Sequence, residues 1–436
     1  ASVLTASNSN IVPGMVVAGP GLLEGTFITD ITGTSIKFSQ PSQTGAPSPL
    51  SLTFYPKNFE GSGAFVYDSS NNYAAGLNHT LQIGDGVSTQ KGSITTYGFN
   101  CVFQKYIVAG MLSLGNLIVD APDGASRFMN SMTGLGNNGS CNMNVQGDFT
   151  ITSGSVFRKN GANSTIYLGG NLINNGTMLT ASAGVGLYMG NFINGTAVAA
   201  TTAQSISGTG TYSSNLWALT AGKVNANLSS ITINNTSASG VTMNRPMWIP
   251  SVTLTTGILR TTSANLLTTG TDVLTDVSSS NPGFGITFPS IALAQSTYID
   301  GPVQISIVTS TSVTQIKALP LGNGGVFMPA SLGCAGGGKF IVQAINSNSG
   351  TTSANASNLA PRRWNITRVS GDGASPTAFN LYLGAPGMTS SNIIVQAPSD
   401  QGTYDIVAGT SPNFSATATI NPVSPFVTTI NTVSTV

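Results

Sequence analysis

The sequence predicts an all-β chain: a right-handed parallel β-helix (solenoid) over residues 59–297, flanked by a small N-terminal β-module (1–58) and a C-terminal β-sandwich with an extended terminal strand (298–436). Three observations carry this reading. Charged residues make up 7% of the 436, against roughly 25% in an ordinary soluble domain, and only Glu24 and Glu60 are glutamates, so straight-chain helix formers are scarce. Thr, Ser, Asn, Val and Ile dominate, with 52 glycines and 21 prolines as punctuation; β-branched residues fit a pleated surface and the small polar ones fit turns. A degenerate repeat runs through the middle.

The opening unit reads as short strands between Gly and Pro turns: Gly14 to Gly21, Gly25 to Ile28, and Ile31 to Phe38. The Pro-rich stretch Pro41 to Pro56 reads as its exit. In the middle the repeat marker is Gly, then Asn or Asp, then a large apolar residue. It occurs at Gly115-Asn116-Leu117, Gly147-Asp148-Phe149, Gly170-Asn171-Leu172 and Gly190-Asn191-Phe192, with spacings 147−115 = 32, 170−147 = 23 and 190−170 = 20. One turn of short strands cannot bury its apolar face alone, but stacked turns make a continuous core. At roughly 20–23 residues per turn about ten would stack, a rod on the order of 50 Å long. From 298 the strands lengthen, as in Val303 to Val308 and Phe379 to Leu383, and the Thr-rich segment from Phe426 closes the sequence.

Hydrophobic residues make up 40% of the chain and recur in strand-length runs such as Leu117-Ile118-Val119 and Phe340-Ile341-Val342, enough apolar surface to offset chain entropy. The net charge is +1 with its basic residues scattered; only Arg158-Lys159 and Arg362-Arg363 are adjacent, so nucleic acid is not an expected partner. The apolar stretch Tyr106 to Ala121 is interrupted by Gly110, Ser113, Gly115 and Asn116 and reads as two strands, not a membrane span. The opening Ala1-Ser2-Val3 suits a mature end left by a signal peptidase. Cys101, Cys141 and Cys334 lack metal-ligand spacing; they read as buried free thiols or as a Cys101–Cys141 disulfide plus one thiol.

Motifs that suggest chemistry fail on context. Gly134 to Gly139 fits the dinucleotide fingerprint, but no amphipathic helix follows. Gly333 to Lys339 nearly spells a phosphate loop, yet Phe340 stands where a Ser or Thr would hold magnesium, and a strand comes next. The sole histidine, His79, has no adjacent triad partners. Two acid pairs, Asp120 with Asp123 and Asp272 with Asp276, are the candidates for carbohydrate cleavage; both sit among turn residues, where Asp serves its own backbone. Asp-Gly pairs at Asp85, Asp123 and Asp372 lack a regular calcium-repeat spacing. Asn-x-Ser/Thr triplets such as Asn78, Asn138, Asn175, Asn194 and Asn365 are what this composition alone produces. No catalytic, cofactor or metal residues are expected, and the chain reads as a non-enzyme.

Leu228 to Asn235 followed by Gly240-Val241-Thr242, then Val252 to Leu259 and Leu266 to Gly270, resemble a repeat of large secreted surface proteins of Bacteroidota. Tyr298-Ile299-Asp300-Gly301-Pro302 and Pro320-Leu321-Gly322 match turns that follow it in that family. The resemblance spans roughly residues 140–436 and implies a cell-surface adhesin or fibre with a solenoid followed by a sandwich. The expectation is therefore a secreted, extracellular structural protein that assembles with its own copies, with surface glycans as a further partner. The alternative is a carbohydrate-binding or polysaccharide-cleaving β-helix spike, similar to phage tail spikes. Phe426, Val427, Ile430 and Val433 mark a strand that either joins a neighbouring subunit or folds back on its own domain.

Overall fold

A computed structural model describes residues 2–3, 11, 13, 16–18, 28–39, 53–55, 80–83, 98–100, 111–120, 126–130, 142–159, 165–180, 186–193, 196–214, 228–270, 285–287, 296–307, 315–335, 338–348, 350–352, 358–369, 378–385, 392–399, 401–406 and 426–432. The described residues are essentially all β-strand and turn, and no helix among them is long and apolar enough to cross a membrane. Contacts divide the chain into two units, Ala1–Val66 and Tyr67–Val436.

In the first unit Ser35–Phe38 lies between Ser2–Val3 and Ile28–Thr32, antiparallel to both, with the tight turn made by Gly33 at φ 61°. Val16–Ala18 pairs antiparallel with Thr53–Tyr55. The latter lies inside the stretch read as an exit: residues 50–55 are free of proline, so the backbone can return to a ladder before Pro56. Val17, Ile28 and Ile36 form the core.

In the second unit the sheets are mostly parallel. From Ser126 onward the chain visits three sheets in rotation, as in Ser126–Asn130, Asn142–Val145 and Phe149–Ile151, then Val156–Lys159, Thr165–Leu168 and Leu172–Asn174. Each strand pairs in parallel with the strand one circuit later. Leu117, Phe149, Leu172, Ile206 and Met243 therefore stand side by side in successive strands of a ten-stranded sheet. Within a strand burial alternates, as at Thr165–Leu168, so one set of side chains points into a common core and the other points out. Phe149 and Phe157 meet edge to face there, centroids 4.9 Å apart.

The circuits are uneven, from 18 residues (Val241 to Leu259, 259−241) to 44 (Leu187 to Ile231, 231−187). Eight strands stack between Thr80–Ile83 and Tyr298–Asp300, about 34 Å at roughly 4.8 Å per step. That is fewer than even spacing suggested, because excursions between strands consume residues.

The marker residues explain the corners. The Asn116 side-chain oxygen accepts from the Asp148 amide at 2.8 Å, and Asp148 Oδ1 accepts from the amide and side chain of Asn171 at 2.7 and 2.9 Å. Asn171 Oδ1 in turn accepts from Ser205 N and Oγ, both at 2.9 Å. The glycines before Asp148 and Asn171 are clearances: a Cβ on Gly147 would lie 2.1 Å from Asn116 Oδ1, and one on Gly170 2.5 Å from Asp148 Oδ1. The fourth copy departs. Asn191–Ile193 opens a hairpin with Thr196–Val198, and Gln204–Ser207 takes the next ladder position instead.

Buried amides are tied across layers. Asn235 donates to Thr202 O and to Gln204 Oε1, both at 2.8 Å, while Gln204 donates to Leu168 O and Gly170 O. Buried Tyr212 sits under the Arg245 guanidinium, 4.7 Å from its ring centroid; burial pushes its phenol up to about 12 against that neighbouring charge.

After Thr211–Ser214 the first position of the rotation, held until then by the sheet of Ser126–Asn130, passes to a nine-stranded sheet, through Met247–Trp248, Leu267–Thr269 and Val303–Ile307. Val303–Ile307 is parallel to Leu267–Thr269 on one side and antiparallel to Gly338–Ile345 on the other. Antiparallel pairing continues through Asn358–Arg368. A three-stranded antiparallel sheet of Gln315–Leu319, Ala330–Ala335 and Ala378–Leu383 shares the core. One apolar cluster thus runs unbroken from Leu114 to Leu383, and residue 298 falls inside a continuing sheet.

Candidate functional site

Residues singled out from sequence are mostly structural where they are described. Asp120 Oδ1 accepts from the Thr152 hydroxyl at 2.7 Å and Oδ2 from Gln82 at 3.2 Å, which ties three adjacent layers. Asp123, Asp272, Asp276 and His79 lie outside the described residues, as do Cys101 and Cys141 of the candidate disulfide. The phosphate-loop lookalike is divided between Ala330–Ala335 and Gly338–Ile345, and Lys339 sits within a strand. Asn175 is exposed and its side chain accepts from Thr209 N, while Asn365 lies within a strand. Among the described residues no three His, Cys, Asp or Glu side chains gather to hold a metal.

The backbone of Phe426, Val427 and Ile430 belongs to the strand Phe426–Thr432; Val433 lies outside the described residues. In the single chain this strand does not stand free behind Pro422 and Pro425. It runs antiparallel between Asn358–Arg368 and Asn392–Ala397, so both of its edges are paired within its own sheet.

A group not anticipated from the sequence lies on the outward face of the seven-stranded sheet. Register places Asn144, Tyr167, Tyr188, Thr232 and Thr253 in adjacent strands. The rings of Tyr167 and Tyr188 are 5.0 Å apart, and Phe192, from the hairpin, lies 4.8 Å from Tyr167. Asn144 fastens the hairpin by donating to Phe192 O at 2.9 Å and accepting from Phe192 N at 3.3 Å. Asn234 donates to the Tyr188 hydroxyl at 2.5 Å. Burial, then the neighbouring Tyr188 phenol, raises the Tyr167 phenol above its ordinary value, so the Tyr167 hydroxyl stays a neutral donor and acceptor at physiological pH. Ile193, at 47% exposure, projects from the hairpin.

Two half-buried tyrosines flanked by amide and hydroxyl side chains can stack against a ring and hydrogen-bond its substituents; the cluster itself has no acid pair and no nucleophile–base pair. Its sequence signal is the recurrence of Tyr167-Leu168-Gly169 as Tyr188-Met189-Gly190, one circuit apart. No family model matches this chain, and no curated protein or solved structure matches it either.

Proposed function

We propose that the chain is an extracellular structural protein, a subunit of a surface fibre or the stalk of an adhesin. In this reading the three-sheet region is a right-handed parallel β-helix, and the antiparallel sheets after it form a β-sandwich. The observation that carries the reading is the parallel register from Leu117 to Met243 with its corner ladder Asn116–Asp148–Asn171–Ser205. Among the described residues, three carboxylates hold layers together: Asp120 and Asp148 in ladders, and Asp300 on Arg260 at 2.6 Å and Asn323 at 3.0 Å. That use supports a non-enzymatic protein. A sequence so low in charge and so rich in Thr, Ser and Asn, with the family resemblance described above, supports a place outside the cell.

Negative-stain electron microscopy of the purified protein tests this. Filaments or end-joined rods are the expected result, and uniformly separate particles at every concentration would contradict the fibre.

A second reading, a carbohydrate-binding spike, is favoured by the Tyr167, Tyr188 and Phe192 cluster. It expects retention on immobilised polysaccharide that Tyr188→Ala reduces at least tenfold, about 1.4 kcal/mol and within the range for a stacked aromatic contact. Equal retention of the variant would remove this reading.

A further inference from the structure

We infer that Phe426–Thr432 is an exchangeable strand, and that the slot between Asn358–Arg368 and Asn392–Ala397 accepts this strand from a second copy of the chain. The inference deepens the fibre reading by naming its joint, and rests on that reading for its biological sense.

Four features of the fold lead to it. The inserted strand occupies the interior of its sheet, yet it follows both neighbours in sequence, so without it both of the edges it fills are left unpaired. Those edges are long: six residues of Asn358–Arg368 and six of Asn392–Ala397 are registered against it. Unpaired edges of this length are templates for a strand from another chain.

The piece beyond the slot also has a core of its own. Val395, Ala397 and Tyr404 form a cluster separate from the main one, and among the described residues Leu359 is the partly buried hydrophobic packed against it from the other side of the slot. In sheet order Phe426–Thr432 is the strand that joins this outer piece to the rest of the nine-stranded sheet. Whichever chain supplies the strand therefore decides whether the sheet is closed within one molecule or between two.

Finally, 19 residues (407–425) separate Ile406 from Phe426, a reach of at most roughly 60 Å when extended. A tether of that length does not by itself confine the strand to its own slot. Exchange keeps every ladder pair, because the incoming strand has the same sequence and register. Such swapping is the low-cost route by which identical chains join, and a strand given by each copy to the next produces an open chain of subunits.

The double variant Gln396→Cys, Thr428→Cys tests this, since Gln396 and Thr428 are registered opposite one another. Wild type and the two single variants are oxidised in parallel to account for the native thiols. The protein is unfolded, refolded at low and at high concentration, oxidised, and resolved on a non-reducing gel. A ladder of covalent dimers and higher species, specific to the double variant and growing with concentration, is expected. A single internally bridged monomer at all concentrations overturns the exchange, as does failure of the two cysteines to react at all. A ladder without filaments in the microscope keeps the joint and removes the fibre; filaments with only internal bridges keep the fibre and remove this joint.

Discussion

Replacing Gly257 by alanine is expected to destabilise the second unit by about 2–5 kcal/mol, enough to unfold a marginal domain. Gly257 adopts φ +94°, where an L side chain costs about 1–2 kcal/mol, and an added Cβ would fall 1.8 Å from the carbonyl oxygen of Asn235 in the layer below. That oxygen cannot move alone. Asn235 is fully buried, its side chain donates to Thr202 O and Gln204 Oε1, and its own Oδ1 accepts from Ser237 N. Shifting it leaves buried polar groups short of partners, at about 1–3 kcal/mol. Gly324→Ala is the control: φ is +59°, but nothing lies within 4 Å of the added methyl, so only the backbone term of about 1–2 kcal/mol remains. Urea unfolding of both variants, followed by tryptophan fluorescence, separates layer contact from conformational preference. Equal losses would mean that the layers are not in contact at this corner.

The second large effect is expected at Phe149. Its side chain is fully buried, stands edge to face with Phe157 at 4.9 Å, and is flanked in register by Leu117 and Leu172. Phe149→Ala should cost about 3–5 kcal/mol, because a cavity between stacked layers cannot collapse without shortening the ladder on either side. Ile173, one position along the adjacent strand, points the other way and is half-buried. Ile173→Ala should cost about 1 kcal/mol or less. The contrast is the useful quantity: a register slip of one residue exchanges the two faces and would reverse it.

Strand-level structure was plain in the sequence because it is local. The stretch from Tyr106 to Ala121, read as two strands, contains Met111–Leu114 and Asn116–Val119, with the bend at Gly115. Three copies of the Gly-Asn/Asp marker fall in register because the same requirement recurs: a corner with room for the polar side chain of the layer beneath. The fourth copy misleads for an equally local reason, since Gly190-Asn191-Phe192 has the right residues but leads into a hairpin. Which strand then follows Leu172 is settled by Ile206, 34 residues on (206−172), through contacts that no local pattern announces.

The tyrosine pair was within reach of a pattern search one circuit apart, but Phe192 reaches it only through that hairpin. The seating of Phe426–Thr432 was less accessible. Its composition marks a strand, while its partners lie more than 25 residues back and are fixed by the open edges of a sheet assembled earlier in the sequence.

An experimental structure of the purified protein, by crystallography or electron microscopy at a resolution that shows side chains, tests the central claim most directly. The account predicts parallel layers in which Leu117, Phe149, Leu172, Ile206 and Met243 lie one above another about 4.8 Å apart, with Asn116, Asp148, Asn171 and Ser205 linked at the adjoining corner. A map in which these strands pair antiparallel, or in which Phe192 takes the place of Ile206 beside Leu172, would contradict it.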